Sequence, residues 1–212
     1  MTAHTLALTL AYTGAVLGVV MVVPQILRTL AHPTLGGVSP VAWSMTVLVC
    51  SMWLTYGIRT ATVPQIPGNV LLVSGAVTVV LLVPSRTSRR RRAATLGAVW
   101  AVLVAAALVV PAHVVGYIAV SLGFVAAWPQ VYESVATWRA GTRSGVSITT
   151  WSIKAVSQVC WLSYALIATD RPVAISATVA LATASGLVGL EYLAGVGART
   201  AQAYPDRAAA EA

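Results

Sequence analysis

Residues 37–56 read GVSPVAWSMTVLVCSMWLTY, and residues 145–164 read GVSITTWSIKAVSQVCWLSY, so one apolar motif recurs after 108 residues. Both copies hold Gly-Val-Ser, Trp-Ser and Trp-Leu-x-Tyr in the same order, and each is followed by a proline, Pro64 or Pro172. A pattern that repeats over a whole segment indicates a fold built from two copies of one unit.

The repeat extends upstream, where Pro24-Gln25 recurs as Pro129-Gln130. Apolar segments near the ~20 residues needed to cross a bilayer core surround these motifs. Seven spans are predicted, at about 5–30, 39–59, 63–84, 94–111, 113–137, 147–168 and 172–195.

Three spans belong to each copy of the motif, and the fourth, unrepeated span joins the copies. Three spans alone would invert the second copy, whereas the connector restores its orientation. We therefore predict an all-α integral membrane fold, with two parallel three-helix repeats joined by a connector helix (3+1+3). The predicted units are residues 1–84 for the first repeat, 85–111 for a basic loop and the connector, 112–197 for the second repeat and 198–212 for a tail.

Composition supports the membrane class. Hydrophobic residues make up 58% of the chain and charged residues 8%, whereas a soluble domain carries about 25% charged residues. Most of the surface must therefore face lipid. The net charge of +8 comes from arginines at span ends, above all the run from Arg89 to Arg92, and not from a stripe with interleaved aromatics. This placement argues against a nucleic-acid partner.

The arginines also predict an orientation. Ten of them fall on one side of the predicted membrane and two on the other, so the positive-inside bias puts the N-terminus outside and the C-terminus inside. Twelve arginines against one lysine, with abundant Ala, Val and Gly, are typical of a GC-rich bacterial genome. We therefore expect a multi-pass protein of a bacterial cytoplasmic membrane.

An enzyme is not expected from the residues that could carry chemistry. The three histidines stand singly at span ends, and the two cysteines lie within spans without metal-ligand spacing. No Ser–His–acid arrangement, metal cluster or phosphate-cradling loop is found in the sequence. The sequence thus predicts no catalytic residue, no metal and no cofactor.

The matched Pro-Gln pairs, each followed by Gly-Val-Ser and Trp-x-x-Tyr, resemble the SWEET, SemiSWEET and PQ-loop transporters. The resemblance covers nearly the whole chain and implies passive or proton-coupled movement of sugars or amino acids by alternating access. Pro64-Gln65 is a third such pair, and we interpret it as a chance recurrence.

Prolines are the predicted hinges. Inside a helix, proline removes a hydrogen bond and kinks the chain. Pro24-Gln25 and Pro129-Gln130 should lie near the cytoplasmic face, where symmetric kinks could act as hinges of an inner gate or merely shape the bundle. The resemblance also implies a hinge at Pro40, whose equivalent in the second repeat is Ile148.

Trp53 and Asn69 are the strongest candidates for substrate binding. Helical rise places both at a similar depth, with Asn69 roughly 9 Å below the outer face of a ~30 Å core. An aromatic face packs a sugar ring and an amide bonds hydroxyls, although a belt tryptophan and an interhelical amide are alternative roles. The resemblance implies that Trp and Asn at this spacing line the substrate site.

The second repeat departs from this pattern. Trp161 is the equivalent of Trp53, but the position equivalent to Asn69 holds an alanine, Ala177, with Ser176 beside it. Ser176 and Ala177 are the candidates for substrate contact in this repeat. Ser176 could supply a hydroxyl if the helix is rotated, but neighbouring helical residues differ by about 100°, so Ser176 is otherwise expected to point away from the chamber. The chamber should therefore be more polar on its first-repeat side.

Ionisable residues within spans are functional candidates. Lys154, Glu133 and Glu191 fall at comparable inner depths on the predicted sixth, fifth and seventh spans. Lys154 could pair with either glutamate and lock an inner gate, or it could extend to the interface with no role in transport.

Together these features predict a transporter of a small polar solute, most plausibly a sugar, by uncoupled alternating access. The glutamates lie near the inner ends of their spans, and no aspartate lies in mid-span, which favours uncoupled transport. A proton-coupled PQ-loop amino-acid transporter and a non-transport receptor or scaffold remain as alternatives. The expected partners are the solute and membrane lipid, and assembly into a homo-oligomer stays open.

Overall fold

The computed structural model describes residues 2–31, 40–83, 87–140 and 148–203. These residues form seven α-helices and no strand. The helices are α1 (Ala3–Ala31), α2 (Pro40–Arg59), α3 (Gln65–Leu82), α4 (Arg89–Val109), α5 (Ala112–Arg139), α6 (Ile148–Ala168) and α7 (Arg171–Ala203).

Each helix corresponds to one of the predicted spans, and the largest differences are at the start of α4 and at the end of α7. The basic run at Arg89 was expected in a loop, but it forms the first turn of α4, where the Ser88 hydroxyl caps the backbone amide of Arg91 at 3.4 Å. The predicted tail begins inside α7, which continues to Ala203. Residues 204–212 lie outside the described residues.

Six of the seven helices are long and apolar enough to cross a membrane. The exception, α6, carries Lys154, Ser157 and Gln158 along its length, which lowers its mean hydropathy. Because α6 packs against α1 and α7, its polar residues have protein neighbours, which is where a membrane helix tolerates them. We therefore treat α6 as the remaining membrane helix.

Packing between the helices follows the predicted repeat. In the first half α3 packs against α1 and α2, and in the second half α7 packs against α5 and α6. The halves meet where α1 packs against α6 and where α2 packs against α5, two contacts that a pseudo-twofold axis exchanges. The remaining helix, α4, is largely exposed and contacts α2, α3 and α5. The predicted 3+1+3 fold is confirmed.

The same turn ends the second helix of each repeat. Ala61 and Thr169, which are 108 residues apart, are both left-handed, with φ of 54° and 55°. In each turn the amide of the next residue donates to the carbonyl oxygen five residues earlier, as in a Schellman motif. Since left-handed non-glycine residues are uncommon, their recurrence at equivalent positions shows the repeat in the backbone itself.

The bundle has two ends. We call the end with the α2–α3, α4–α5 and α6–α7 connections the short-loop end, and the opposite end the long-loop end. Helices of both repeats share one buried cluster toward the short-loop end, which includes Met52, Tyr56, Val115 and Tyr164. Toward the long-loop end, Ile26 of α1 packs with Val79 of α3 and with Val83 just after α3, all within the first repeat.

Two glycines one turn apart on α1, Gly14 and Gly18, differ in how closely other helices approach them. A Cβ added to Gly14 would lie 2.9 Å from Cδ1 of Trp161, so α1 and α6 approach closely there. A Cβ added to Gly18 would meet no described atom within 4 Å. Helix α1 is therefore closely packed against α6 at Gly14, whereas the described residues leave space beside Gly18.

The orientation in the membrane stays a prediction, and a reporter can test it. A topology reporter fused after Arg92, at the start of α4, should report the cytoplasmic side because the arginine excess lies at the long-loop end. A fusion after Arg59, at the end of α2, should report the external side. The reversed pattern in matched fusions would contradict the predicted orientation.

Candidate functional site

A cavity of about 180 Å³ lies between the two repeats, and α2, α3, α6 and α7 form its walls. All five residues predicted to contact substrate line this cavity, together with three that were not predicted. The lining residues are Trp53, Gln65, Asn69, Gln158, Trp161, Val173, Ser176 and Ala177. The structure thus brings the predicted residues together, while their role in binding stays a prediction.

Trp53 and Trp161 occupy equivalent places in the two repeats. Each indole makes an edge-to-face contact with the tyrosine three residues later, with ring centroids 5.7 Å apart for Tyr56 and 5.8 Å apart for Tyr164. Such pairs fix ring orientation. Both repeats therefore present an ordered aromatic surface to the cavity, of the kind that packs against the apolar face of a ring.

Asn69 supplies a primary amide from α3. Its Nδ2 donates to the backbone carbonyl oxygen of Gln65 one turn earlier, at 2.7 Å. A primary amide has two N–H donors and an acceptor oxygen, so one bond to its own helix leaves hydrogen-bonding capacity for a ligand.

Sequence reasoning missed Gln65 and Gln158. Gln65 lies four residues before Asn69 on α3, and Gln158 lies three residues before Trp161 on α6. Side chains at these spacings share a helix face, so each glutamine could have been found from its predicted neighbour. Pro64-Gln65 was interpreted as a chance recurrence, yet its glutamine lines the cavity.

The expectation that Ser176 points away from the chamber is wrong. Ser176 and Ala177 both border the cavity near the start of α7. Two adjacent positions about 100° apart can both face a cavity when its wall covers a broad arc of the helix. The second repeat therefore adds a hydroxyl beside the alanine that replaces the amide.

At the short-loop end, a hydrogen bond joins the two repeats. The Tyr56 hydroxyl on α2 donates to Oδ1 of Asp170, just before α7, at 2.7 Å. The same carboxylate oxygen accepts from the backbone amide of Val173 at 3.2 Å, and so caps α7. The equivalent tyrosine, Tyr164, interacts instead with the Thr62 hydroxyl. One bond to a carboxylate and one to a neutral group hold this end together.

Close backbone packing accompanies this bond. A Cβ added to Gly116 of α5 would lie 2.6 Å from Cβ of Pro172 and 3.0 Å from the Tyr56 ring. Only glycine therefore fits where α5 meets the start of α7. The Tyr56 ring and hydroxyl thus join α2 of the first repeat to α5 and to the start of α7 in the second repeat.

The predicted charge pairing stays a prediction. The Lys154 ammonium lies 4.3 Å from the centroid of the Trp151 ring, in the geometry of a cation–π contact. The side chain of Glu133 lies outside the described side chains. Glu191 lies on α7 and has an interaction of its own.

The predicted hinges lie on α1, α2 and α5. Helix α1 runs through Pro24, and α5 runs through Pro129, which is exposed. The side chains of Pro24, Gln25 and Gln130 lie outside those described. Pro40 is the first residue of α2, where a proline leaves no helical hydrogen bond unmade, and Ile148 is the first residue of α6. Their action as hinges stays a prediction.

Comparison with solved structures matches the chain to a eukaryotic SWEET transporter determined at 3.7 Å resolution. The TM-score is 0.75, and the match covers 90% of this chain and 99% of the other at 12% sequence identity. No protein-family model and no curated protein matches the sequence. The likeness shows the fold, which is that of the SWEET transporter and a multi-pass membrane fold, as the resemblance of the motifs predicted.

Proposed function

We propose that this chain, which has the fold of a SWEET transporter, moves a small neutral sugar across the membrane by uncoupled alternating access. The observation that carries the proposal is the cavity between the two repeats, where Trp53, Trp161 and Asn69 meet. A receptor or scaffold would not need such a chamber.

The lining chemistry favours an uncharged, hydroxylated solute. Two indoles offer flat apolar surfaces, and three amides and a serine hydroxyl offer donors and acceptors. Among the lining residues of the described chain, none is ionisable. A zwitterionic amino acid would bring two charges into this site, and burying charges without counter-charges is costly.

The cavity is also small. Its volume of about 180 Å³ lies below the roughly 300–1,000 Å³ of pockets that hold drug-sized ligands. A single sugar ring is therefore a better fit than a larger molecule, and we expect monosaccharides to be preferred.

Alternating access is supported by the arrangement of the halves. The repeats meet through α1 with α6 and α2 with α5, and they are joined at the short-loop end by Tyr56 and Asp170. Rocking one repeat against the other about these contacts would open the cavity to alternate sides, as in other repeat-built transporters.

Counterflow in proteoliposomes tests the proposal. Vesicles loaded with unlabelled solute are diluted into traces of labelled glucose, galactose, fructose, sucrose, alanine or leucine. We expect transient uptake of at least one monosaccharide and none of the amino acids, relative to protein-free vesicles. Uptake of amino acids alone would favour the PQ-loop amino-acid alternative, and uptake of none would contradict the proposal.

Independence from protons is a separate prediction. If transport is uncoupled, collapsing the proton gradient with an ionophore should leave the initial rate of sugar exchange unchanged. The matched measurement uses the same vesicles without ionophore. Strong loss of exchange would contradict uncoupled transport and implicate Glu133 or Glu191 as a proton carrier.

A further inference from the structure

Gln65, at the start of α3, has a side-chain oxygen without a partner. The residue is 4% exposed, and among the described residues no donor lies within hydrogen-bonding reach of its Oε1. Its backbone is fully used, since its N–H donates to the Thr62 carbonyl and its own carbonyl accepts from Asn69. A buried amide oxygen that stays unpaired destabilises a protein, so this oxygen calls for an explanation.

The side chain is held against the backbone of α2. A Cβ added to Gly57 would lie 2.9 Å from Cβ of Gln65 and 3.3 Å from its Oε1. Because Gly57 has no side chain, Gln65 can lie directly on the helix while it borders the cavity.

Packing alone does not require an amide at this place. The equivalents of Gly57 and Gln65 in the second repeat, 108 residues later, are Ala165 and Val173. Both are buried, and Val173 lines the other side of the same cavity. The repeat therefore fills this position with an apolar side chain as readily as with a polar one, and a ligand explains the glutamine better than the fold does.

We propose that Gln65 is a specificity-determining residue: when sugar binds, its side-chain amide turns from Gly57 into the cavity, and Oε1 accepts a hydrogen bond from one hydroxyl of the transported sugar. This inference rests on the proposed function. Gln65 and Asn69 share one face of α3, whereas Val173 and Ala177 form the apolar wall of α7 at the equivalent positions. The sugar is bound with its hydroxyl-rich edge toward α3 and its less polar edge toward α7.

The selectivity follows from the unpaired acceptor. A site built to bond a hydroxyl rejects the analogue that lacks it, because the buried acceptor is then left without a partner. One monodeoxy analogue of the sugar should therefore bind about 5- to 150-fold more weakly than the sugar itself, and the others should lose less.

The experiment is competition counterflow with monodeoxy analogues. The labelled sugar is glucose, galactose or fructose, whichever exchanges fastest, and each monodeoxy analogue of that sugar competes with it. The wild type is compared with Gln65→Met, which keeps the length of the side chain without its amide. The control is Ser74→Ala on the same helix, because Ser74 is exposed, does not line the cavity and donates to the Val70 carbonyl of its own helix.

We expect one analogue to compete about 5- to 150-fold more weakly than its parent in the wild type and in Ser74→Ala. In Gln65→Met this difference should shrink to a few-fold. A second variant, Gln65→Val, places the residue of the equivalent position, Val173, in the first repeat and should behave like Gln65→Met.

Three outcomes are decisive. Selectivity retained at the wild-type level in either variant, at matched membrane insertion, overturns the role of Gln65 and leaves the proposed function standing. Equal competition by all analogues in the wild type also overturns the role of Gln65 and leaves the proposed function standing, even if both variants fail to insert. Absence of exchange of every monosaccharide in the wild type overturns the proposed function instead.

Discussion

Replacing Asn69 with alanine is expected to weaken sugar binding by roughly 5- to 150-fold. The cavity between the repeats would lose one of its amides, and the sugar hydroxyl that it serves would be left unpaired, which costs about 1–3 kcal/mol. The apparent affinity in counterflow, at matched insertion, measures the effect.

The second repeat supplies controls for this result. Ser176→Ala removes a hydroxyl that lines the cavity, and loss of one neutral hydrogen bond of about 0.5–1.5 kcal/mol predicts a roughly 2- to 12-fold weakening. Ala177→Asn restores the amide that the repeat lacks and should strengthen binding of a hydroxyl-rich solute or shift preference toward one. Unchanged affinity in Asn69→Ala would make that amide a packing residue and contradict the site assignment.

Replacing Tyr56 with phenylalanine is expected to open the short-loop end. The variant keeps the ring against Trp53 and removes only the hydroxyl that donates to Asp170. A hydrogen bond to a charged group contributes about 1.5–3 kcal/mol, so the population open at this end should rise by roughly 10- to 150-fold. Tyr164→Phe is the matched control, because its partner Thr62 is neutral and its loss should matter less.

Labelling of a cysteine in the cavity measures this opening. Ser176→Cys, with Cys50 and Cys160 replaced by alanine, is exposed to a membrane-impermeant thiol reagent added at the short-loop end. The labelling rate should rise strongly with Tyr56→Phe and weakly with Tyr164→Phe. Equal rates in the two variants would contradict the role of the Tyr56–Asp170 bond.

The fold could be predicted from the sequence because two signals agree. The recurrence of the Trp-Leu-x-Tyr motif fixes the repeat, and the count of apolar segments fixes the parity of the connector. The starts of the helices were less predictable. Arg89 looked like a loop residue, yet it begins α4, because a cap at Ser88 and good helix formers extend the helix beyond its apolar part.

The cavity-lining residues could be predicted from the sequence where their depth along a helix brings them together. The rise per residue placed Trp53 and Asn69 at one depth, and the resemblance implied a shared substrate site; the two residues line one cavity. Gln65 and Gln158 were missed although each shares a helix face with a predicted residue. The orientation of Ser176 was mistaken because helical angles give the direction of a side chain but not the breadth of the wall that it faces.

Contacts between distant residues were beyond sequence reasoning. Tyr56 and Asp170 are 114 positions apart, and nothing in either segment marks the other as its partner. The repeat still offered a partial clue, since Tyr164 stands at the position equivalent to Tyr56. Its partner Thr62 is equivalent to Asp170, so the Tyr56–Asp170 and Tyr164–Thr62 pairs occupy equivalent positions. They differ in the partner of the tyrosine, which is a carboxylate in one pair and a hydroxyl in the other.

The central claim is that the cavity between Trp53 and Trp161 is the place where the transported sugar binds. Protection of the Ser176→Cys variant by the sugar tests it most directly, with Val63→Cys in the exposed turn between α2 and α3 as the control. The account predicts that the exchanged monosaccharide slows labelling at position 176 with the same half-saturation as in counterflow, and leaves position 63 unaffected. Continued transport with no protection at position 176 would contradict it.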